Sequence, residues 1–386
     1  MIKTEGNFRM TATTMAGLEP ILFRELVALG AGNPEQHIRA VSFSGDLGFM
    51  YKANLCLRTA LRVIVPIKEA TVPNESAFYS QIYRMHWEDL IQPGQTIAVR
   101  SVANSEEFTH TLYLSQKTKD AICDRLRHKF DWRPNVDTKD PDHTINIHIH
   151  GNDLSVGINS SGKSLHKRGY RVDKGLAPIN EVLAAGIVQI TNWDKRSTFF
   201  DPMTGSGTIA IEAALYAMNI PPGILREDFG FMNWPGYDAE LYSTIFDACL
   251  NKIEEEPGEI LASDLSPNMV RKAKKNIATA KMKDAIKCVT KDFFETEKPA
   301  ERGVLVINPP YGERMDHEET EVFYKEIGDH LKSAYSGWDC FMITSELQAL
   351  KSVGLRSSQR SILFNGSLEC RLVKYEMYRG SQKEKS

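Results

Sequence analysis

Nowhere does the sequence hold an apolar run long enough to cross a membrane, and no apolar core follows the opening Met1-Ile2-Lys3-Thr4-Glu5. The expectation is a soluble protein of the cytosol. Cysteine is scarce and scattered: the six residues, at 56, 123, 249, 288, 340 and 370, include no Cys-x-x-Cys pair. That argues against a disulfide framework and a structural zinc site, and reduced, mostly buried thiols are expected. His148 and His150 would share one face of a strand, but nothing in the sequence completes a ligand set, so no metal is expected. Repeats and low-complexity segments are also missing.

A strong net charge is absent too, the total being −3 over 386 residues. That figure averages unlike halves. Residues 1–175 hold 22 Lys+Arg against 19 Asp+Glu, and residues 176–386 hold 25 against 31. Attraction to phosphate is therefore expected from the N-terminal half. The length exceeds one ordinary hydrophobic core, which predicts two or three domains.

Short strands and helices mix in the first half. Strands are predicted at 8–12, 40–43, 61–66 and 96–102, helices at 18–29, 54–60 and 115–127, and a hairpin over 144–159 turning at Gly151-Asn152-Asp153. This reads as α+β. From about residue 176, continuously apolar strands at 197–200, 259–263, 286–289, 304–307 and 340–344 are separated by helical segments, the pattern of a parallel sheet covered on both faces. Asn365-Gly366 between two strand-like runs predicts a closing antiparallel hairpin.

Four motifs carry the chemistry. Asp201-Pro202-Met203-Thr204-Gly205-Ser206-Gly207-Thr208 lies between a strand and a helix, where glycine permits a sharp turn and close backbone approach to a ligand. Alone it could be a structural turn. Asp264-Leu265 ends the next strand, where a carboxylate can accept hydrogen bonds from ribose hydroxyls, although an N-cap role fits equally. Asp292-Phe293 follows a third strand, suited to an adenine amino group and ring face. The fourth, Asn308-Pro309-Pro310-Tyr311, decides the reading. Two prolines fix the chain just past a buried strand and leave carbonyls without competing donors. An exocyclic amine on a base is a poor nucleophile. The Asn308 amide oxygen and the Pro309 carbonyl can accept its two hydrogens and favour a pyramidal nitrogen, while Tyr311 stacks on the base.

These motifs, with Leu165-His166-Lys167-Arg168-Gly169-Tyr170-Arg171 ahead of Ala177-Pro178, resemble the class I methyltransferases with an Asn-Pro-Pro-Tyr motif, and more narrowly the THUMP-domain RNA guanine-N2 methyltransferases. The likeness covers nearly the whole chain and is strongest to the methyltransferase half of bacterial enzymes that make N2-methylguanosine in 23S rRNA. It implies a Rossmann-like α/β methyltransferase domain at 176–380, a ferredoxin-like segment at 1–44, a THUMP-like RNA-binding domain at 45–160 and a basic linker at 161–175. It also implies S-adenosylmethionine as cofactor and RNA as partner. The cofactor would be held by Asp201, Pro202, Met203, Gly205, Gly207, Thr208, Asp264, Leu265, Asp292 and Phe293, and RNA phosphates by Lys163, His166, Lys167, Arg168 and Arg171. Asn308 to Tyr311 would do the chemistry. One departure is the long interval from Asp201 to Asp264, which marks 219–257 as an insertion, with Trp234 and Tyr237 placed near the substrate. Adenine-N6 methylation of DNA or RNA, guanine-N2 methylation of tRNA and a non-catalytic RNA-binding assembly factor remain alternatives.

Overall fold

The computed structural model describes residues 6–173, 178–310 and 317–377. Its chain packs into two units. The first is formed by residues 1–14, 22–165 and 226–248, the second by 15–21, 166–225 and 249–386.

The first unit contains β1 (Phe8–Thr13), most of α1 (Glu19–Leu29), β2 (Gly32–His37), β3 (Ala40–Gly45), α2 (Leu47–Cys56), β4 (Arg62–Thr71), α3 (Glu75–Tyr83), β5 (Thr96–Asn104), α4 (Thr111–Phe130), β6 (Asn135–Val136), β7 (His143–His150) and β8 (Asp153–Asn159). The strands form one sheet in the order β2-β3-β1-β4-β8-β7-β5-β6. The helix expected at 54–60 lies earlier. The Asp46 carboxylate accepts from Phe49 N–H at 2.7 Å and starts α2, and beyond Cys56 the amides of Arg58 and Thr59 donate to the Glu25 carboxylate, at 3.1 Å each, instead of continuing the helix. The expected hairpin is present as β7 and β8.

The second unit contains α5 (Glu181–Ile190), β9 (Thr198–Asp201), α6 (Thr208–Ala217), the end of α7 (Ala239–Leu250), β10 (Ile260–Asp264), α8 (Pro267–Thr279), β11 (Ile286–Thr290), β12 (Gly303–Ile307), α9 (His317–Ala334), β13 (Asp339–Thr344), β14 (Gln359–Asn365) and β15 (Leu368–Glu376). Its seven strands run β11-β10-β9-β12-β13-β15-β14. β9 to β13 are parallel, and β15 enters antiparallel between β13 and β14. After β11 the chain returns to place β12 on the other side of β9. That reversal opens a crevice at the carboxyl ends of β9 and β12, where open α/β sheets bind ligands. Beneath it lies an apolar layer of Phe200, Leu305, Ile307, Tyr335 and Trp338.

The inserted stretch departs from expectation. Residues 226–248 join the first unit, where the Phe231 ring lies 4.5 Å from Tyr51 and those of Tyr242 and Tyr237 at 5.8 and 6.0 Å. Asp238 N–H donates to the Tyr51 hydroxyl at 3.0 Å, and the Arg226 guanidinium donates to the carbonyls of Ser161, Lys163 and Ser164. Trp234 is buried in the same unit. Trp234 is thus a core residue of the first unit and the half-buried Tyr237 packs against Tyr51 of the same unit, which corrects their assignment to a substrate site. Nor does the chain divide simply at 161–175, because it passes between the units again at 225 and 248. No helix among the described residues is long and apolar enough to cross a membrane.

Candidate active site at the sheet switch point

The turn after β9 is built from its glycines. Gly205 and Gly207 have φ of +56° and +86°, a region costly for residues with a Cβ. A Cβ on Gly207 would sit 3.3 Å from that of Ala273 on α8, so this glycine also lets two helices pack. A Cβ on Gly205 would meet only the tip of Met269, at 3.8 Å, so this side of the turn is open. Thr204 N–H donates to Ser263 O at 2.9 Å and fastens the turn to the end of β10.

Asp264 closes that connection from the other side. Its Oδ2 accepts from Gly205 N–H and its Oδ1 from Ser266 N–H, each at 2.9 Å. The N-cap of α8 is Ser266, whose hydroxyl accepts from Met269 N–H, so the capping alternative for Asp264 falls away. Each carboxylate oxygen retains acceptor capacity for a ribose hydroxyl. Leu265, 68 % exposed, offers an apolar surface next to it.

Asp201 is completely buried beneath the turn, which corrects the idea that it lines the site. Its Oδ2 accepts from the Thr204 hydroxyl at 2.7 Å, while Oδ1 makes no hydrogen bond of ordinary geometry, and the backbone amides of Met203 and Ala210 also favour the ionised form. Burial raises its pKa to about 7, the Thr204 hydrogen bond opposes the rise, and the negative charge of Asp264 adds to it. Two acids sharing a turn suit a ligand that carries positive charge.

Two further expectations are corrected. Phe293 is 3 % exposed and its ring stacks on Tyr335 at 6.2 Å and meets His330 edge-on at 4.7 Å, so no face is left for a ligand. The half-buried Phe294 follows it, and Asp292 caps this short turn by accepting from Phe294 N–H at 3.0 Å. Thr208 is buried, its hydroxyl occupied by an Arg171 N–H at 2.9 Å.

Arg168 and Arg171 are internal as well. Arg168 Nε lies 3.6 Å from Glu212 and Arg171 Nε 3.1 Å from Glu181, all four side chains at most 11 % exposed. Tyr170 donates to Glu212 at 2.9 Å. These residues strap 166–171 onto α5 and α6, because a buried guanidinium needs a carboxylate partner. They are structural, not phosphate-binding. Lys163 belongs to the first unit, bridging Asp140 at 3.0 Å and Asp228 at 3.1 Å, while His166 is half-buried and Lys167 exposed.

On the far side of the switch point, β12 pairs with β9 and delivers Asn308-Pro309-Pro310 beyond its last residue, Ile307. Asn308 is half-buried, Pro309 buried and Pro310 exposed. Tyr311 lies outside the described residues. The glycine turn after β9, Asp264 and Leu265 at the end of β10 and Asn308 after β12 thus stand at the carboxyl ends of three adjacent strands, and their chemistry suits an adenosine carrying a sulfonium side chain.

Fold and site together define a class I methyltransferase, the enzymes whose methyl donor is S-adenosylmethionine. The chain belongs to the RMKL-like methyltransferase family: residues 168–374 match its methyltransferase domain, 73–159 a THUMP domain and 9–64 an RlmL ferredoxin-like domain. It is 35 % identical over 95 % of its length to slr0064 of Synechocystis, provisionally named an RNA methyltransferase, and spans 96 % of that protein. It is equally 35 % identical to the ribosomal RNA large subunit methyltransferase K/L of Methylococcus capsulatus, covering 95 % of this chain but 51 % of that one. The chain thus spans about half the length of the K/L relatives it matches. The solved structure of SMU.472, provisionally described as a methyltransferase and complexed with SAH, superposes with a TM-score of 0.86 at 29 % identity, covering 98 % of this chain and all of the other.

Proposed function

We propose that this protein methylates N2 of a guanine in 23S rRNA. The observation that supports the reading is the position of Asn308-Pro309-Pro310 at the carboxyl end of β12, next to the strands that end in the glycine turn and Asp264. S-Adenosylmethionine supplies an electrophilic methyl group when bound. Asp264 receives the ribose hydroxyls, Leu265 covers the adenine, and the Gly205 side of the turn lets the backbone approach. Asn308 Oδ1 and the Pro309 carbonyl accept the two amine hydrogens, which holds the nitrogen lone pair in line for attack. The proton leaves after the nitrogen has become cationic, so no strong base is required. The target base must stand out of its stack to reach this depth.

RNA as the substrate is supported by the THUMP match and by the names of the relatives, and the large-subunit target by the K/L relatives in particular. The test is transfer of labelled methyl to unmodified 23S rRNA, followed by nucleoside mass spectrometry. N2-methylguanosine is the expected product. N6-methyladenosine would overturn the base assignment, and label on tRNA alone would overturn the target RNA.

A further inference from the structure

We infer that a cavity beside the end of β13 holds the Watson–Crick edge of the target base, with the Glu346 carboxylate accepting the N1–H of guanine. The inference rests on the guanine reading and names the residue that would select it. The cavity has a volume of about 290 Å³ and is lined by Thr320, Ser345, Glu346, Leu347 and Gln348 among others. It falls just below the roughly 300–1,000 Å³ typical of pockets for drug-sized ligands, in keeping with a single base.

Its position follows from the sheet. β12 and β13 are parallel neighbours; β12 ends at Ile307, opposite Met342, and β13 two residues later at Thr344, so Asn308–Pro310 and Ser345–Gln348 leave the same edge of the sheet from adjacent strands. The groups after β13 therefore flank those that hold the amine. Glu346 is fixed at this place: its N–H donates to Thr344 Oγ1 at 2.9 Å, and that hydroxyl is hydrogen-bonded to the buried Tyr324. Its side chain is half-buried, and Leu347, 39 % exposed, offers an apolar surface for a ring.

Chemistry makes Glu346 selective. Guanine presents a donor at N1 next to its N2 amine, and an ionised carboxylate is an acceptor only. With the N2 hydrogens taken by Asn308 and Pro309, the N1–H is the next donor along the edge. An adenine placed with its N6 amine at Asn308 would turn the N1 lone pair towards Glu346, leaving two acceptors face to face. Sites built around a specific hydrogen bond reject analogues lacking the donor strongly, because the protein group is left unpaired.

The test uses the full chain and a 23S rRNA fragment that contains the mapped target, synthesised with either guanine or 2-aminopurine there. 2-Aminopurine keeps the N2 amine but lacks the N1–H. Wild type is expected to prefer guanine by roughly 10²-fold or more in kcat/KM. Glu346→Gln, whose amide can donate to N1, is expected to bring the ratio within about tenfold, Glu346→Asp to preserve the preference, and Glu321→Gln, an exposed acid on the same cavity wall, to leave it unchanged. Cofactor affinity equal to wild type shows that each variant is folded. A wild-type ratio in Glu346→Gln, or collapse in Glu321→Gln instead, overturns the assignment. The wild-type product is read separately: N6-methyladenosine overturns the guanine reading itself, whereas N2-methylguanosine with an unaltered Glu346→Gln ratio overturns only the role of Glu346.

Discussion

At the scale of single residues, Asp201, buried beneath the glycine turn, is a group whose ionisation responds to a charge bound above it. Its folded pKa of about 7 stands above the ordinary carboxylate value of 3.8. The protonated form is therefore favoured by folding, a contribution fully present below about pH 4 and lost as pH rises to about 7. A cationic cofactor works in the opposite sense, stabilising the ionised form. Cofactor binding should thus release protons below about pH 7 and tighten with rising pH until it levels off above that. Calorimetry in buffers of different ionisation heat measures the release, and Asp201→Asn should abolish it. Asp264 and Asn308 should separate binding from chemistry. Asp264→Ala loses ribose hydrogen bonds of about 1.5–3 kcal/mol each, a weakening of affinity by at least tenfold visible in the same calorimetry. Asn308→Ala should bind the cofactor normally yet slow single turnover with saturating RNA by roughly 10²-fold. A normal rate in that variant would remove Asn308 from the chemistry.

At the scale of elements, the strap over 166–171 behaves differently from the basic linker its composition suggests. Breaking a buried ion pair by removing one partner costs about 3–5 kcal/mol. Arg168→Ala or Arg171→Ala should accordingly lower the melting temperature by several degrees and leave the salt slope of RNA binding unchanged, whereas Lys163→Ala with Lys167→Ala should flatten that slope if these lysines meet phosphates. Thermal melting and binding at several salt concentrations distinguish the two. The strap also shows where sequence reading reaches its limit. The parallel strands were legible because β9, β12 and β13 have continuously apolar centres, and the site because Asp264 and Asn308 stand at the ends of such strands. Nothing in Lys167-Arg168-Gly169-Tyr170-Arg171 shows which cation meets a buried acid, since Glu181 and Glu212 are the single acids of two otherwise almost wholly apolar helices and neither carries a sign of its partner. β2 was missed for a related reason: Gly32–His37 is polar, mostly exposed and interrupted by Pro34, so it has no alternation to read. Phe293 misled because an aromatic after an acidic strand end looks alike whether its ring faces a ligand or the core.

At the scale of the whole molecule, the first unit takes part of its core from the middle of the second half. Phe229, Phe231 and Trp234 are each at most 5 % exposed within it. Replacing residues 226–248 by a short glycine-serine link should lower protection from hydrogen exchange in β4 and β8, together with α2, which carries Tyr51. Unchanged protection there would mean that the segment only rests on the surface. This arrangement also constrains the order in which the protein comes into being. A chain emerging from the ribosome completes residues 1–165 early, yet the aromatic segment that covers Tyr51 arrives only with residue 248. At about 5–20 residues per second the interval is roughly 4 to 17 s. Throughout it the nascent first unit carries an uncovered apolar patch, so its folding waits on translation, and a ribosome stalled between these two points would present a client for chaperones.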